Sequence, residues 1–569
     1  MALTVAATGI LWDPNTSTYG SVKGVLLPLG ALAAVLTAWV RVRRGASWDL
    51  GAPTLAVLLL AVWAGISLCW TPSVIAGLSD LAPALAAVTL LLAGRVLLQG
   101  AGAARVLASA MAVTGLAASG AALVEYGLGS PAPSGTIGNP NHLAIYVAAT
   151  LPALVWIAWW PQGPRLKVGI PWRLLRLAVL VAPALAAMWL SGCRSVWLAV
   201  GAGALITLAL GRPTPRSRRA ALGVALLLCL TGGAITILGP ARWRHRAGGR
   251  LYLARISGAL FTARAATGHG VGGFAIRFPE RQAKRLAAHP KERPLWTHAR
   301  TAHNEPLQAL VELGLVGGLL LLMVTLFVLG SMVGGRDPPP PHRWVASASL
   351  VILGVSGLSE GSLHPVALLT LATAYLALLW EPGANRIGAL QRATAVAVAL
   401  AFTASALTVT AARQYTADRL VARAHLAATP GQRLALLRDA ARLAPNPGRA
   451  RFYLGLTLAR QGRPVMAAAT LRQSARDFPN LGTSIALGNA LMAQGRIREA
   501  AEVYRHAAWL HPRYAAAHHN LGLALGKLGQ PRASRESLRR ARRLWPGRWL
   551  EPWRIRAIRR LIRPAGGPS

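Results

Sequence analysis

The chain has 569 residues, of which 54% are hydrophobic and only 14% are charged. A soluble globular protein carries roughly a quarter charged residues, so this composition excludes an ordinary soluble protein. The formal net charge of +43 favours anionic partners such as phosphates, diphosphates or lipid headgroups. Nucleic acid is the usual partner of so basic a protein, but it is disfavoured because the chain before residue 412 contains many apolar segments long enough to span a membrane.

Residues 1–411 are predicted to form a polytopic all-α bundle with about 12 to 13 membrane spans. A spanning helix needs about 20 mostly apolar residues, and about 17 to 25 are tolerated. Residues 2–11 are apolar but too short to cross, and we interpret them as the remnant of a further span or as a re-entrant end. The predicted spans lie near residues 23–40, 52–70, 78–98, 104–126, 142–160, 175–190, 195–211, 220–239, 307–334, 344–358, 364–380 and 393–411.

The distribution of basic residues between short loops predicts the orientation of the bundle. Every second loop carries arginine or lysine, whereas residues 71–77, 127–141 and 359–363 contain neither. Because short cytoplasmic loops are rich in lysine and arginine, the basic set is predicted to be cytoplasmic. The long loop 240–305 and everything after residue 412 then face outward, into the periplasm of a Gram-negative cell.

The soluble part of the chain shows an internal period. Pro445, Pro479, Pro512 and Pro546 are spaced by 34, 33 and 34 residues, and each interval opens with a Leu-Gly pair. Small residues at fixed offsets allow two helices to cross closely, and the proline ends the second helix. The pattern resembles tetratricopeptide repeats and predicts an α-solenoid over residues 412–546, which suits binding of a protein partner. A spacer or self-association module stays possible. Residues 547–569 form a basic tail that suits either an anionic membrane surface or water.

Three outward-facing segments carry the polar residues that such a bundle does not need for packing. The first is Gly138-Asn139-Pro140-Asn141-His142, where the asparagines and the proline also suit a plain helix start. The second is the turn with Arg194, since a lone arginine at the membrane edge is costly unless it is used. The third is loop 240–305, which contains 13 Lys+Arg against 3 Asp+Glu and ends in His303 and Asn304. Its glycines, including Gly268 and Gly270, permit tight turns close to a ligand.

The order of these segments resembles the O-antigen ligase and O-antigen polymerase superfamily, over roughly residues 20–380. The resemblance implies a GT-C-like membrane fold and transfer of a glycan from an undecaprenyl-pyrophosphate carrier. The acceptor is lipid A-core or a similar molecule, at the periplasmic face of the inner membrane. It also implies neither a metal nor a nucleotide sugar. A polymerase, a protein O-oligosaccharyltransferase, and a non-enzymatic scaffold or transporter that displays the repeats remain as alternatives.

The candidate residues suit this chemistry. Permanently charged arginines neutralise a diphosphate leaving group without a cation, and Arg194 and Arg250 are predicted to do so. His303 is the candidate general base for the acceptor hydroxyl. Glu312 is a candidate to orient a neighbouring group, although nine residues, about 13 Å of helix, separate it from His303. The remaining substrate-binding candidates are Asn139, Asn141, Arg255, Arg264, Gly268, Gly270 and Asn304.

Overall fold

The computed structural model describes residues 1–13, 21–49, 51–99, 102–159, 170–210, 246–333, 340–361, 363–380, 386–387 and 390–544. Within these ranges the only β-structure is an antiparallel pairing of Trp48–Asp49 (β1) with Arg386–Ile387 (β2). The all-α class predicted from the sequence is therefore confirmed. The predicted span 220–239 and the predicted basic tail 547–569 lie outside the described residues.

Fourteen α-helices and two short 3₁₀ segments are described up to residue 426. The two short 3₁₀ segments are Ser67–Cys69 and Pro290–Leu295. The α-helices are α1 (Ala2–Ile10), α2 (Ser21–Arg43), α3 (Ala52–Ile66), α4 (Val74–Leu97), α5 (Ala103–Gly127), α6 (Pro140–Trp159), α7 (Ile170–Ser191), α8 (Ser195–Leu210), α9 (Arg246–Ala263), α10 (Gly273–Ala288), α11 (Glu305–Val333), α12 (Pro341–Gly357), α13 (Val366–Leu379) and α14 (Leu390–Leu426).

Eight of the described helices are long and apolar enough to cross a membrane, namely α2, α3 with its 3₁₀ extension, α4, α5, α6, α7, α11 and α14. Helix α11 exposes an apolar stripe at the spacing of one helix face, made of Leu315, Leu319, Leu322, Leu326 and Leu329. A stripe of this size is unfavourable in water and favourable against lipid tails. These helices indicate that the protein is associated with a membrane.

Three predicted spans form helices of 17 residues or fewer. Helices α8, α12 and α13 contain 16, 17 and 14 residues. At 1.5 Å per residue, α13 is about 21 Å long, which is less than the roughly 30 Å of a bilayer core. Most of its residues are buried, and Leu368, Leu371 and Tyr375 are completely so. Helix α13 is therefore a central packing helix of the bundle.

The apolar segment 2–11 forms helix α1, which packs against α2, α5 and α13. Its small residues permit close approach, since a Cβ on Gly9 would collide with the side chain of Tyr146. The Thr136 hydroxyl donates a 2.7 Å hydrogen bond to the Gly9 carbonyl, and Lys23 donates to the Thr136 carbonyl at 2.6 Å. This helix is thus a buried part of the bundle at the end where residues 134–139 lie.

Helix α14 runs without a break through residue 411, where the sequence analysis placed the end of the membrane domain. Its first part packs against α2 and α4, and Ala393, Ala397 and Ala404 are buried there. Its last part packs on the first repeat helix through Ala417 and Val421. One helix of 37 residues therefore joins the two parts of the molecule, and no loop marks the boundary.

The repeats form the predicted helical pairs. The degenerate copy consists of the end of α14 with α15 (Pro430–Leu443), and the regular copies are α16 (Gly448–Arg460) with α17 (Pro464–Asp477), α18 (Leu481–Ala493) with α19 (Ile497–Leu510), and α20 (Ala515–Lys527) with α21 (Pro531–Leu544). The glycine of each Leu-Gly pair lies against the second helix of its pair. A Cβ on Gly488, for example, would collide with the ring of Tyr504. The turn glycines Gly462, Gly495 and Gly529 all have a positive φ of 70–73°.

Candidate functional site

The glycine-rich loop 264–273 packs on a kink in helix α11. The kink lies at Gly314, whose φ is +67°. The backbone N–H groups of His269 and Gly270 donate to the carbonyls of Val311 and Glu312 at 2.9 and 2.8 Å. The Leu315 N–H donates to the Ala265 carbonyl at 2.7 Å. The loop and the kinked helix thus satisfy each other's backbone hydrogen-bonding groups. These bonds fix the loop, which lies within residues 246–304 (the outer segment), against the helical bundle.

Two loop glycines are close to protein backbone. Gly268 has φ +69°, and a Cβ there would collide with the backbone of Glu312. Gly270 has φ +81°, and its Cβ would lie 2.7 Å from the Thr71 Cα. Their absence of side chains is therefore required for packing against α11 and the α3–α4 turn. The role of Gly268 and Gly270 in substrate binding stays a prediction.

Glu312 holds the glycine loop and is not placed beside His303. Its side chain is buried, and its Oε1 accepts a 3.1 Å hydrogen bond from the Phe274 N–H at the start of α10. About two and a half helical turns separate Glu312 from His303, and no described hydrogen bond joins the two side chains. The predicted role of Glu312 in orienting a neighbouring group or binding substrate stays a prediction.

A buried carboxylate, Glu360, brings together three residues that the sequence analysis predicted separately. It lies in the loop between α12 and α13, and its side chain is 3% exposed. Arg250 of α9 forms an ion pair with Glu360 Oε1 through Nη2. Asn141 Nδ2 donates to the same oxygen at 3.1 Å, and His303 Nδ1 lies 3.3 Å from Oε2. We call Asn141, Arg250, His303 and Glu360 the Glu360 cluster.

The electrostatics of the cluster favour an ionised carboxylate between two exposed partners. Burial alone would raise the pKa of Glu360, but the hydrogen bonds and charges of His303 and Arg250 outweigh burial and lower it below its ordinary value. The side chains of Arg250 and His303 are 42% and 44% exposed. With Nδ1 directed at the carboxylate, Nε2 of His303 is the ring nitrogen left to accept a proton from a bound molecule.

His303 is the only described residue other than glycine with a positive φ, at 51°. Such a conformation is uncommon for a residue with a side chain. The following Asn304 fixes it by capping α11, because its Oδ1 accepts from the Leu307 N–H at 2.8 Å. Asn304 Nδ2 also donates to the Leu358 carbonyl at 2.8 Å. Asn304 therefore joins the His303 turn to the loop that carries Glu360.

Glu305 and His364 hold the same loop from the other side. Glu305 Oε1 accepts from the Leu363 N–H at 2.8 Å and lies 3.5 Å from His364 Nδ1. Burial alone would lower the pKa of His364, but the hydrogen bond and charge of Glu305 outweigh burial and raise it to about 9. His364 is therefore protonated near neutral pH.

Two further predicted residues, Asn139 and Arg194, lie at the same end of the bundle as this cluster. Asn139 caps α6, since its Oδ1 accepts from the backbone N–H groups of Asn141 and His142 at 2.9 and 3.2 Å. Arg194 lies in the turn between α7 and α8, and its neighbour Cys193 is within the electrostatic range of Glu360 and Arg250. Arg194 therefore belongs to the same end of the bundle.

Arg255 and Arg264 are placed toward the outer segment. Arg264 lines a small cavity of about 210 Å³ together with His269, Arg277 and Lys284. Arg255 is within electrostatic range of Glu292. Neither arginine has a described contact with Glu360. Their predicted role in binding the diphosphate stays a prediction.

The sequence analysis did not select Glu360 or His364. One signal was available, because Glu360 is one of only 18 acidic residues and lies in a loop without lysine or arginine that is predicted to face outward. Its three partners are 219, 110 and 57 residues away in sequence, so their convergence is a product of the fold.

Comparisons with known proteins bear on the C-terminal part. The family description "TPR repeat" matches residues 488–529. The chain carries a tetratricopeptide repeat. MamA from MSR-1 is 22% identical, with a TM-score of 0.21, over 23% of this chain and 76% of that chain. MamA from AMB-1 is 21% identical, with a TM-score of 0.21, over 27% of this chain and 92% of that chain. No curated protein matches the chain.

Proposed function

We propose that this protein is a glycosyltransferase of the O-antigen ligase type. It moves a glycan from an undecaprenyl-pyrophosphate carrier to an acceptor such as lipid A-core, at the periplasmic face of the inner membrane. The observation that supports this proposal is the convergence of Asn141, Arg250 and His303 on the buried Glu360 carboxylate. These residues come from three separate outward-facing segments that carry the motifs of the resemblance.

Each member of the cluster has a role in this reaction. Arg250 binds the carrier diphosphate, and its guanidinium stabilises the charge that develops as the bond from the anomeric carbon to the phosphate oxygen breaks. His303 Nε2 accepts the proton of the acceptor hydroxyl as its oxygen bonds to the anomeric carbon. Glu360 stabilises the resulting imidazolium and fixes the ring, as the acid of a hydrolase triad does. Asn141 orients the carboxylate and is a candidate to bind sugar hydroxyls.

The exposure of these side chains supports access for both substrates. Arg250 and His303 are nearly half exposed, whereas the carboxylate that joins them is shielded. When the diphosphate binds, it competes with Glu360 for Arg250, so the ion pair of the resting protein becomes a contact with the leaving group. The ionised carboxylate then keeps its contact with His303 Nδ1, so it continues to orient the imidazole.

The test is glycan transfer by the purified full chain in liposomes, with an undecaprenyl-pyrophosphate-linked glycan as donor and lipid A-core as acceptor. We expect modified acceptor and released carrier from the wild type. Arg250→Ala and His303→Ala should lose at least about a hundredfold in rate, and Lys291→Gln, an exposed outer-segment control, should match the wild type. Extension of the donor glycan would indicate a polymerase, and modification of a protein would indicate an oligosaccharyltransferase. Equal rates in all variants would contradict the proposal.

A further inference from the structure

The repeats dock on the outer segment (residues 246–304) through contacts that centre on Trp296. The indole Nε1 of Trp296 donates to the Leu510 carbonyl at 3.0 Å. Its ring packs edge-on against His511 and Tyr514, with centroids 5.6 and 5.3 Å apart. Arg513 donates to the Pro294 carbonyl at 2.8 Å, beside this contact. The last two repeats are therefore held against the segment that leads to His303.

A groove lies beside this joint, with one wall from α10 and the other from α19, α20 and α21. Its cavity is about 370 Å³, and Ala283 and Leu286 of α10 face Leu521 and Leu525 of the repeats across its floor. A second cavity of about 510 Å³ shares Arg293, Pro512 and Arg540 with the first, so the two form one surface. We call this surface the joint groove.

The rim of the joint groove is strongly basic. Six arginines line it against one carboxylate, that of Glu536; they are Arg293, Arg505, Arg513, Arg539, Arg540 and Arg543. Arg293 and Arg540 approach from opposite walls, and burial together with the charge of Arg293 lowers the pKa of Arg540. Placing like charges together costs energy in the empty groove, which an anionic occupant recovers.

We infer that the joint groove binds an acidic segment of another protein, one in which apolar side chains alternate with carboxylates. The apolar floor suits the apolar side chains, and the arginine rim suits the carboxylates. The chain's own residues 545–569 contain six arginines and one glutamate and so share the charge of the rim, which favours a segment of another protein. This inference concerns a second site and does not depend on the proposed glycan transfer.

The position of the groove adds a consequence for the candidate site. Trp296 precedes His303 by seven residues, which span at most about 25 Å of chain. A protein segment in the joint groove therefore lies beside the stretch of chain that leads to the Glu360 cluster. Its binding also stabilises the contact between the repeats and the outer segment, since it touches both walls.

The test is binding of a fluorescent short peptide of alternating glutamate and leucine to the full chain in nanodiscs. The control peptide has glutamine in place of glutamate. We expect the acidic peptide to bind about tenfold or more tightly than the control, with affinity that falls as salt rises. The double variant Arg293→Gln/Arg540→Gln and the variant Ser537→Glu should each lose about tenfold. Arg438→Gln, an exposed repeat residue outside the groove, should bind as the wild type does.

Three results would overturn the inference. They are equal affinity for the two peptides, unchanged affinity in both groove variants, and binding of inorganic tripolyphosphate to the groove arginines with no binding of the acidic peptide. The last result would assign the surface to a phosphate-bearing ligand. His303→Ala should bind the peptide normally, so a failure of glycan transfer and a failure of peptide binding are separate outcomes.

Discussion

The Glu360 carboxylate is shielded from water, whereas the arginine and the histidine that it contacts are nearly half exposed. A buried charge is stable only when it is paired and hydrogen-bonded, and Glu360 has three such partners. The same three contacts hold α6, α9 and the turn before α11 at one point. The carboxylate is thus the structural centre of the cluster.

Replacing Glu360 by glutamine keeps the shape of the side chain and removes its charge. We expect the rate of glycan transfer to fall by about a hundredfold or more, because the imidazolium of His303 loses its counter-charge. The measurement is the rate of carrier release in liposomes. The exposed repeat residue Glu502 offers a control, and Glu502→Gln should retain the wild-type rate. A Glu360→Gln variant with normal activity would remove the carboxylate from the mechanism.

The positive φ of His303 permits a separate test of its backbone. Asparagine tolerates this conformation and valine does not, although both lack the imidazole. We expect His303→Val to be less stable than His303→Asn by about 1–2 kcal/mol, with both variants inactive. The measurement is the thermal unfolding midpoint in detergent together with glycan transfer. Equal midpoints would show that the turn does not require the left-handed conformation.

At the scale of elements, the kink of α11 and the glycine loop act as one unit. The loop donates two backbone hydrogen bonds to the helix and accepts one from it. Glu312 adds a side-chain bond to the start of α10. His303 and the start of α11 lie between these loop contacts and the α12–α13 loop that carries Glu360. The kink and the glycine loop together therefore position His303.

Gly268→Ala tests this unit. The new Cβ requires an unfavourable φ and collides with the Glu312 backbone, so we expect a loss of about 1–3 kcal/mol in stability and a lower transfer rate. Gly258, in helix α9, has open space around its Cα. Gly258→Ala should therefore leave stability unchanged or raise it by up to about 1 kcal/mol. The measurement is thermal unfolding of both variants. Equal changes in stability for Gly268→Ala and Gly258→Ala would contradict the close packing of the loop.

The docking of the repeats should weaken in acid. Burial, with smaller effects of His298 and His506, lowers the pKa of His511 to about 4 in the docked state. The released histidine has an ordinary pKa of about 6.5. The docked state therefore binds fewer protons, so docking loses at most about 3 kcal/mol as the pH falls from 6.5 toward 4, and nothing changes above 6.5.

Deuterium uptake of residues 290–300, corrected for the intrinsic exchange rate, measures this effect. Uptake in the wild type should rise below pH 6.5. His511→Phe keeps an aromatic ring against Trp296 without a titrating group, so its uptake should be insensitive to pH over the same range. A parallel rise in both proteins would exclude His511 as the cause.

The sequence predicted elements better than it predicted contacts. Hydrophobic runs located the apolar helices, and the proline period located the repeats, because both patterns are local. The shortness of α13 and the continuity of α14 were not predicted, since apolar composition does not distinguish a central packing helix from a spanning one. Arg250, His303 and Asn141 were selected by their chemical type and outward position. Glu360 was not, because its role depends on contacts between distant segments.

At the scale of the whole molecule, three parts meet near one end of the bundle. The Glu360 cluster lies at the end of the apolar helices, the outer segment 246–304 contributes Arg250 and His303 to it, and the repeats dock on that segment through Trp296. Helix α14 connects the membrane bundle to the repeats as one continuous element.

This account requires the cluster to face away from the cytoplasm, where the donor glycan would be presented. The direct measurement is labelling of a single introduced cysteine by a membrane-impermeant maleimide in intact spheroplasts, with Cys69, Cys193 and Cys229 replaced by serine. His298→Cys, in the exposed segment before His303, should be labelled without permeabilisation, and Arg44→Cys, in a basic loop predicted to be cytoplasmic, only after it. Labelling of residue 298 only after permeabilisation would place the Glu360 cluster on the cytosolic side and contradict the proposed reaction.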